Sequence, residues 1–156
     1  MTPTDFLSNS EADTERLAAA LARVLPDGTT VALNGTLGAG KTRFVQAFAA
    51  ALGVASDDVT SPTFVMVQEY HGSRTIYHMD AYRVVDDDEF LQLGAEEYFD
   101  SSGITFVEWA ERVVDCLPRD RIEIQIEVVG DTSRGFQIKA LGDNLQPVIE
   151  QLREQL

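Results

Sequence analysis

Hydrophobic positions in this chain switch between the spacing of a strand and the spacing of a helix. Leucine and valine side chains in residues 17–25 fall on one helical face, and Ser8 and Glu11 ahead of them have the spacing of a capping box. Together they predict a first helix over residues 10–25. The clearest strand covers residues 121–129, where isoleucine and valine alternate with charged and polar residues, as in a half-buried strand.

The remaining apolar segments continue this alternation. Segments of strand length or strand composition cover residues 29–34, 64–70, 75–79, 104–107 and 135–141, and helical segments cover 44–52, 90–93, 109–117 and 144–156. The glycine-containing residues 71–74 predict a hairpin between two of the strands. The pattern favours an α/β fold of three layers, with a mainly parallel sheet between helices and antiparallel additions. With 156 residues, 44% of them hydrophobic, the chain predicts one domain over residues 1–156.

Charge narrows the classes of partner. The chain carries 26 acidic and 12 basic residues, a formal net charge of −14, and only Lys41 and Lys139 are lysines. Because an acidic surface repels phosphates, we expect no autonomous binding to RNA or DNA. Asp86-Asp87-Asp88-Glu89 is the densest acidic segment, and we interpret it as a solvated helix N-terminus, with a metal site as the alternative.

Two further features bear on the compartment. No apolar segment approaches the roughly eighteen residues of a membrane span, and the N-terminus lacks a basic stretch followed by an apolar block. The sequence therefore predicts no membrane association. Cys116 is the only cysteine and cannot form an internal disulfide, which fits a reducing cytoplasm. We interpret Cys116 as a small buried side chain near a helix end, with a nucleophile as the alternative.

One short segment identifies a ligand. Gly35-Thr36-Leu37-Gly38-Ala39-Gly40-Lys41-Thr42 matches G-x-x-x-x-G-K-[ST], the phosphate-binding P-loop, between a predicted strand and a predicted helix. A glycine-rich turn before a helix offers backbone N–H groups and the positive end of the helix dipole to a phosphate. Lys41 would contact the β- and γ-phosphates and Thr42 would bind Mg²⁺. The alternative is a glycine-rich turn that binds nothing.

Two carboxylates end predicted strands at the edge where α/β sheets bind ligands. Asp80 follows the strand at residues 75–79, and Glu108 follows the strand at 104–107. Asp80 has the position of an acid that contacts Mg²⁺ directly or through water, and Glu108 is placed to orient or deprotonate the attacking water. The two roles are interchangeable at this stage, and surface carboxylates at strand ends are the alternative.

Four segments together resemble one family. They are the P-loop with its preceding Leu33-Asn34, Thr60-Ser61-Pro62-Thr63-Phe64, His78-Met79-Asp80-Ala81-Tyr82-Arg83, and Val107-Glu108-Trp109-Ala110-Glu111-Arg112. In order and spacing they resemble the TsaE (YjeE) family of P-loop ATPases. The resemblance implies a P-loop NTPase-like fold and a cytoplasmic, Mg²⁺-dependent ATPase. Such an ATPase acts with TsaD and TsaB to make threonylcarbamoyladenosine beside the anticodon of ANN-decoding tRNAs.

The resemblance also implies roles for individual residues. Lys41, Asp80 and Glu108 would serve hydrolysis, and Thr42, Asp80 and Glu108 would hold Mg²⁺. The nucleotide would contact Thr36, Leu37, Gly38, Ala39, Gly40, Lys41, Thr42, Arg43, Thr63 and Trp109. Ser61-Pro62-Thr63 would act as a switch loop near the γ-phosphate. Thr36 and Arg43 depart from the family, which usually has aspartate and threonine at these positions.

Alternatives remain for the function and for two side chains. A small-molecule P-loop kinase uses the same loop, and so does a nucleotide-gated binding module with little turnover. The absence of an Asn-Lys-x-Asp sequence favours ATP over GTP, and the charge implies that tRNA is reached through the partners. Trp109 is either a nucleotide or partner contact or a partly buried core residue. We interpret His78 as structural.

Overall fold

A mixed sheet between helices forms the centre of the fold. The computed structural model describes residues 3–36, 38–60, 62 and 66–156. The strands are β1 (Thr4–Ser8), β2 (Thr30–Gly35), β3 (Val67–His71), β4 (Thr75–Asp80), β5 (Ile104–Glu108), β6 (Arg121–Val128) and β7 (Arg134–Leu141). The α-helices are α1 (Glu11–Val24), α2 (Lys41–Ala51), α3 (Asp87–Gln92), α4 (Ala95–Phe99) and α5 (Gln146–Gln155), and 3₁₀ helices cover Ser56–Asp58, Ala110–Cys116 and Asp143–Leu145.

The sheet has a parallel centre and antiparallel edges. Across the described residues its seven strands run in the order β1-β7-β6-β2-β5-β4-β3. Strands β6, β2, β5 and β4 pair in parallel, whereas β7 and β1 at one edge and β3 at the other edge are antiparallel to their neighbours. The predicted α/β fold with a mainly parallel central sheet and antiparallel additions is confirmed.

Apolar residues cover the two faces of the sheet unequally. On one face, α1, α2 and α5 pack in one cluster with residues such as Leu33, Phe106 and Ile124. On the other face, α3, α4 and the 3₁₀ helix Ala110–Cys116 form a smaller cluster with residues such as Met79 and Val107. Since β6 and β7 expose polar side chains on this second face, the third layer covers only part of the sheet.

Several elements differ from the sequence interpretation. Strand β1 was not predicted, and the capping box with Ser8 was wrong, because Ser10 is the N-cap of α1 and accepts a hydrogen bond from Asp13 N. Ser8 is instead buried, with its hydroxyl donating to the Ser10 carbonyl at 2.9 Å. The helix predicted over residues 109–117 is the 3₁₀ helix Ala110–Cys116, which is interrupted at Val113.

Other differences concern the bounds of elements. The helix predicted near residues 90–93 begins at the acidic segment, where Asp86 is the N-cap of α3, as the interpretation of that segment predicts. Gly94 then adopts a left-handed conformation, with φ 86°, and starts the unpredicted α4. The hairpin is confirmed, with β3 starting at Val67; residues 64 and 65 of the predicted strand lie outside the described residues. In the described part of the chain, we find no helix with the length and apolar character needed to cross a membrane.

Candidate active site

The P-loop joins the end of β2 to the start of α2. Gly40 is the N-cap of α2 with φ 104°, and Gly38 has φ 82°, a left-handed conformation that favours glycine at both positions. Among the described residues, no side chain caps the first turn of α2, so its backbone N–H groups remain available to an anion. The loop is braced by Arg134 of β7, whose Nε donates to the Ala39 carbonyl at 3.1 Å.

Lys41 lies at the base of this loop and is almost completely buried. Its Nζ donates to the carbonyl oxygens of Gly35 at 2.7 Å and Thr36 at 3.0 Å. The same Nζ lies 4.0 Å from the centre of the Trp109 ring, within the range of a cation–π contact. Burial lowers the pKa of Lys41, and the negative charge of Glu108 opposes this effect.

Asp80 and Glu108 are neighbours at the carboxyl edge of the sheet. They are paired in the register of β4 and β5, and they are 2% and 3% exposed. The Thr42 hydroxyl donates to Glu108 Oε2 at 2.9 Å, and Asp80 Oδ1 accepts from the Tyr82 backbone N–H at 2.7 Å. The structure thus brings a P-loop hydroxyl and two carboxylates together, as the predicted strand ends require.

Trp109 follows β5 directly and has a left-handed backbone, with φ 57° and ψ 38°. This conformation costs a non-glycine residue about 1–3 kcal/mol and is concentrated at functional sites. The indole ring packs against the Tyr82 ring, with 4.9 Å between ring centres, and is also contacted by Lys41. Trp109 is therefore part of the site and, at the same time, partly buried against the second apolar cluster.

Two buried side chains, His78 and Tyr70, belong to this site although the sequence did not predict a role for them there. The sequence indicates a structural role for His78, but its Nε2 contacts Glu108 Oε2. The Tyr70 hydroxyl lies 3.3 Å from the His78 Nδ1. A signal existed for His78, because it precedes Asp80 by two positions on a strand and so shares its face of the sheet. No local pattern marks Tyr70, whose approach depends on the pairing of β3 with β4.

A cavity of about 640 Å³ borders the P-loop on the side of the N-terminal residues. Its lining includes Asn9, Glu11 and Arg43 along with Thr132 and Arg134. Arg43 Nη2 also forms an ion pair with Glu11 at 2.8 Å. This volume falls in the range of small-molecule sites, and its wall holds both cationic and hydrogen-bonding groups.

Of the remaining predicted site residues, the structure describes Thr36 but not Leu37 or Thr63. Thr36 is exposed, and its carbonyl accepts from Ala39 N at 3.0 Å and closes the loop. Leu37 and Thr63 lie outside the described residues, as does Ser61 of the predicted switch loop. Their roles stay predictions.

The side chains at this edge fit Mg²⁺ in their chemistry. Thr42, Asp80 and Glu108 offer only oxygen atoms, the ligands that Mg²⁺ prefers. Over the part of the chain that the structure describes, no group of three or more histidine, cysteine or acidic residues could hold a metal alone. Since Mg²⁺ usually completes its shell with water and substrate phosphates, the set suits a metal that arrives with a nucleotide.

Comparisons with known proteins agree on one family. Residues 8–136 match the family model described as threonylcarbamoyl adenosine biosynthesis protein TsaE. The chain is 41% identical over 132 residues to the tRNA threonylcarbamoyladenosine biosynthesis protein TsaE of Treponema pallidum, covering 85% of this chain and 97% of the relative. It is 39% identical over 141 residues to the protein of that name from Bacillus subtilis, covering 90% and 87%.

A solved structure is similar over almost the whole chain. The crystal structure of YdiB from Bacillus subtilis superimposes with a TM-score of 0.81 at 32% identity and covers 98% of this chain and 95% of that protein. The family model covers the P-loop, both carboxylates, His78 and Trp109. The chain belongs to the TsaE family.

Proposed function

We propose that this protein binds and hydrolyses ATP with Mg²⁺, and that this turnover supports threonylcarbamoyladenosine biosynthesis on tRNA. The observation that carries the proposal is the cluster of Lys41, Thr42 and Glu108 at the carboxyl edge of the sheet. The Thr42–Glu108 hydrogen bond of 2.9 Å places a P-loop hydroxyl beside an acid, and Lys41 supplies the positive charge. We propose that residues 1–156 form one P-loop ATPase domain around this edge.

Each side chain has a proposed task. The amides after Gly38 and Gly40 and the Lys41 ammonium hold the phosphates. Thr42 and Asp80, with Glu108 beside them, would hold Mg²⁺. The bound Mg²⁺ would neutralise negative charge on the phosphates. Glu108, held at Oε2 by Thr42 and His78, is positioned to orient the attacking water. The cavity of about 640 Å³ beside the loop is the proposed site for the base and ribose.

The cellular setting is part of the same proposal. We place the protein in the cytoplasm, in keeping with its single cysteine and with the ATP that the proposed turnover would use. Its partners are TsaD and TsaB, as the family resemblance implies, and tRNA is reached through them because the net charge is −14. A pull-down of the TsaD and TsaB homologues with and without ATP tests this part directly.

Nucleotide binding is tested by comparing the two lysines. Calorimetry with ATP and Mg²⁺ should show binding by the wild type and by Lys139→Ala, because Lys139 lies on β7 and is about half exposed. For Lys41→Ala we expect affinity or turnover to fall by about a hundredfold or more, the scale of one preorganised donor. Unchanged ATP hydrolysis in Lys41→Ala, or no heat of binding in the wild type, contradicts the proposal.

Turnover is tested separately from binding. Glu108→Gln should keep most of the ATP affinity and lose hydrolysis, because the amide cannot accept a proton from water. ADP release without any added acceptor supports an ATPase, whereas a requirement for an acceptor indicates a kinase. ATP-dependent partner binding that persists in Glu108→Gln, in a protein whose wild type has no measurable turnover, indicates a nucleotide-gated binding module.

A further inference from the structure

The Glu108 carboxylate contacts a buried histidine at the same oxygen that accepts from Thr42. His78 is completely buried and Glu108 is 3% exposed, and the His78 Nε2 contacts Glu108 Oε2. Because a carboxylate oxygen accepts hydrogen bonds, we assign Nε2 as the donor in this contact. The contact therefore selects one ring orientation and turns Nδ1 toward β3.

Tyr70 contacts the other side of the same ring. Its hydroxyl lies 3.3 Å from the His78 Nδ1 and 3.3 Å from the Thr60 carbonyl oxygen, and it also contacts Gln68 Oε1. Gln68 in turn donates from Nε2 to the Thr60 hydroxyl at 3.1 Å. Tyr70 is 7% exposed and His78 is completely buried, so little water reaches the contact between them, whereas Gln68 is half-buried and Thr60 is exposed.

These contacts form one continuous path, which we call the Glu108 support. It consists of Thr60, Gln68, Tyr70 and His78. The path crosses three adjacent strands, from β3 through β4 to β5, and it meets the P-loop helix through the hydrogen bond from Thr42 to Glu108. At its far end it reaches Thr60, the residue before the predicted switch loop.

Packing alone does not account for polar groups at these positions. Apolar side chains of similar volume would fill the same space without the cost of burying a histidine and a carboxylate. Both ring nitrogens of His78 meet side chains, and one of those side chains is the acid proposed to orient water. Outer partners that fix the orientation of a functional group are a recurrent feature of metal and catalytic sites.

We propose that His78 is a positioning residue that fixes the Glu108 carboxylate beside Thr42, and that Tyr70 holds the His78 ring for this purpose. The proposal deepens the ATPase function and rests on it. His78 acts through Glu108 and does not contact the nucleotide. Its loss should therefore reduce turnover much more than ATP affinity.

Imidazole spectra test the contact without any nucleotide. The chain has two histidines, and the side chain of His71 is 69% exposed, so it serves as an internal reference. In long-range ¹H–¹⁵N spectra we expect His78 to show a slowly exchanging Nε2 proton. Glu108→Gln and Tyr70→Phe should both shift the His78 signals and leave those of His71 unchanged.

A matched tyrosine provides the control for these spectra. Tyr77 packs on the Tyr98 ring at 4.7 Å, and as a neighbour of His78 on β4 its side chain points to the opposite face of the sheet. Tyr77→Phe should therefore leave the His78 signals in place. A His78 ring that exchanges like that of His71, or that does not respond to Glu108→Gln, overturns the proposal.

Kinetics then separate positioning from a structural role. In His78→Leu we expect kcat to fall about ten- to a hundredfold, with the ATP dissociation constant changed less than about threefold. His78→Gln can still donate an N–H to Glu108 and should recover most of the rate. Tyr70→Phe, which removes only a hydroxyl, should give a smaller loss of kcat in a folded protein, and His71→Leu should give none.

Two further results would overturn the proposal. One is wild-type kcat in both His78→Leu and Tyr70→Phe. The other is an equal loss in His78→Leu and His78→Gln accompanied by loss of ATP binding. If the wild type bound no ATP, the proposed function would fail, whereas the imidazole spectra would still decide whether His78 holds Glu108.

Discussion

At the scale of single residues, the site depends on charges placed where little water reaches. Lys41 is 5% exposed, and its Nζ is surrounded by two carbonyl oxygens and the face of an indole ring. These contacts replace the hydration that the ammonium loses on burial. The positive charge of Lys41 is consequently held at the base of the loop, which is the proposed binding site for the nucleotide phosphates.

Cys116 gives a prediction about pH. Burial, followed by the negative charge of Asp87, raises the pKa of its thiol to about 11. Since the reactive thiolate forms only as the pH approaches the pKa, alkylation by iodoacetamide at pH 8 should be about a hundredfold slower than for an ordinary cysteine. The rate should rise about tenfold per pH unit up to about pH 11. The structure shows Cys116 half-buried, whereas the sequence predicts a buried side chain. Fast alkylation at neutral pH, or loss of ATP hydrolysis in Cys116→Ser, would support the alternative, a nucleophile.

Gly35 gives a prediction about close packing at the start of the P-loop. A Cβ at this position would lie 2.7 Å from the Ile126 carbonyl oxygen and 3.1 Å from the Ala39 Cβ. Gly35→Ala should therefore destabilise the protein by about 1–3 kcal/mol and weaken ATP binding by displacing the loop. Urea unfolding measures the first effect and calorimetry the second. Gly130→Ala is the control, because its Cβ would meet Ser133 at an ordinary 3.4 Å.

At the scale of elements, α1 is capped by Ser10 and not by Ser8, the residue that the capping-box spacing predicts. Ser10 accepts the hydrogen bond from Asp13 N at 3.2 Å, whereas Ser8 is the last residue of β1 and bonds to the Thr14 hydroxyl at 2.7 Å. The strand and the helix thus meet at one short junction. Its polar atoms are satisfied locally.

This junction can be tested by thermal unfolding. Ser10→Ala removes the cap and should cost about 1 kcal/mol, which for a chain of this size lowers Tm by roughly 2–4 °C. Ser10→Asp keeps an accepting oxygen at the same position and should unfold close to the wild-type temperature. Equal stability of wild type and Ser10→Ala would mean that Ser10 does not cap α1.

Elements with strong hydrophobic periodicity could be predicted from the sequence. The elements that were not predicted correctly, β1 and the 3₁₀ helix after Trp109, have physical reasons. The alternating strand β6 and the helix α1 appear near their predicted bounds. Strand β1 has only five residues, of which Thr4 and Ser8 are buried and polar, and it is defined by its pairing with β7 far along the chain. The 3₁₀ helix after Trp109 shares its apolar spacing with an α-helix, so hydrophobic periodicity alone does not separate the two.

The candidate site was predictable to a similar extent. Local order placed the P-loop between β2 and α2, and strand ends placed Asp80 and Glu108 at one edge. The contacts of Glu108 with His78, and of His78 with Tyr70, join three different strands. They depend on sheet order and register, which a local sequence pattern does not encode.

At the scale of the whole molecule, the net charge of −14 sets the range of partners. The acidic side chains are spread from α1 to α5, and at the P-loop edge the buried cationic residue is Lys41. A polyanion approaching from solution meets a repulsive field before it reaches any specific contact.

This field predicts how the protein behaves with tRNA. In fluorescence anisotropy at about 150 mM salt, the protein alone should not bind tRNA at micromolar concentration. A small basic protein of similar mass serves as the positive control. A complex of tRNA with this chain alone, weakening steeply as salt is added, would contradict the proposal that the partners make most of the tRNA contacts.

The scarcity of lysine has a practical consequence for mapping those partners. Reagents that couple primary amines meet two side chains in this protein, and Lys41 is 5% exposed against 46% for the side chain of Lys139. Side-chain cross-links to a neighbouring protein should therefore originate almost entirely from Lys139, on the polar face of β7. Cross-linking through lysine side chains will then survey that one face, and carboxyl-directed coupling will be required to survey the rest of the surface.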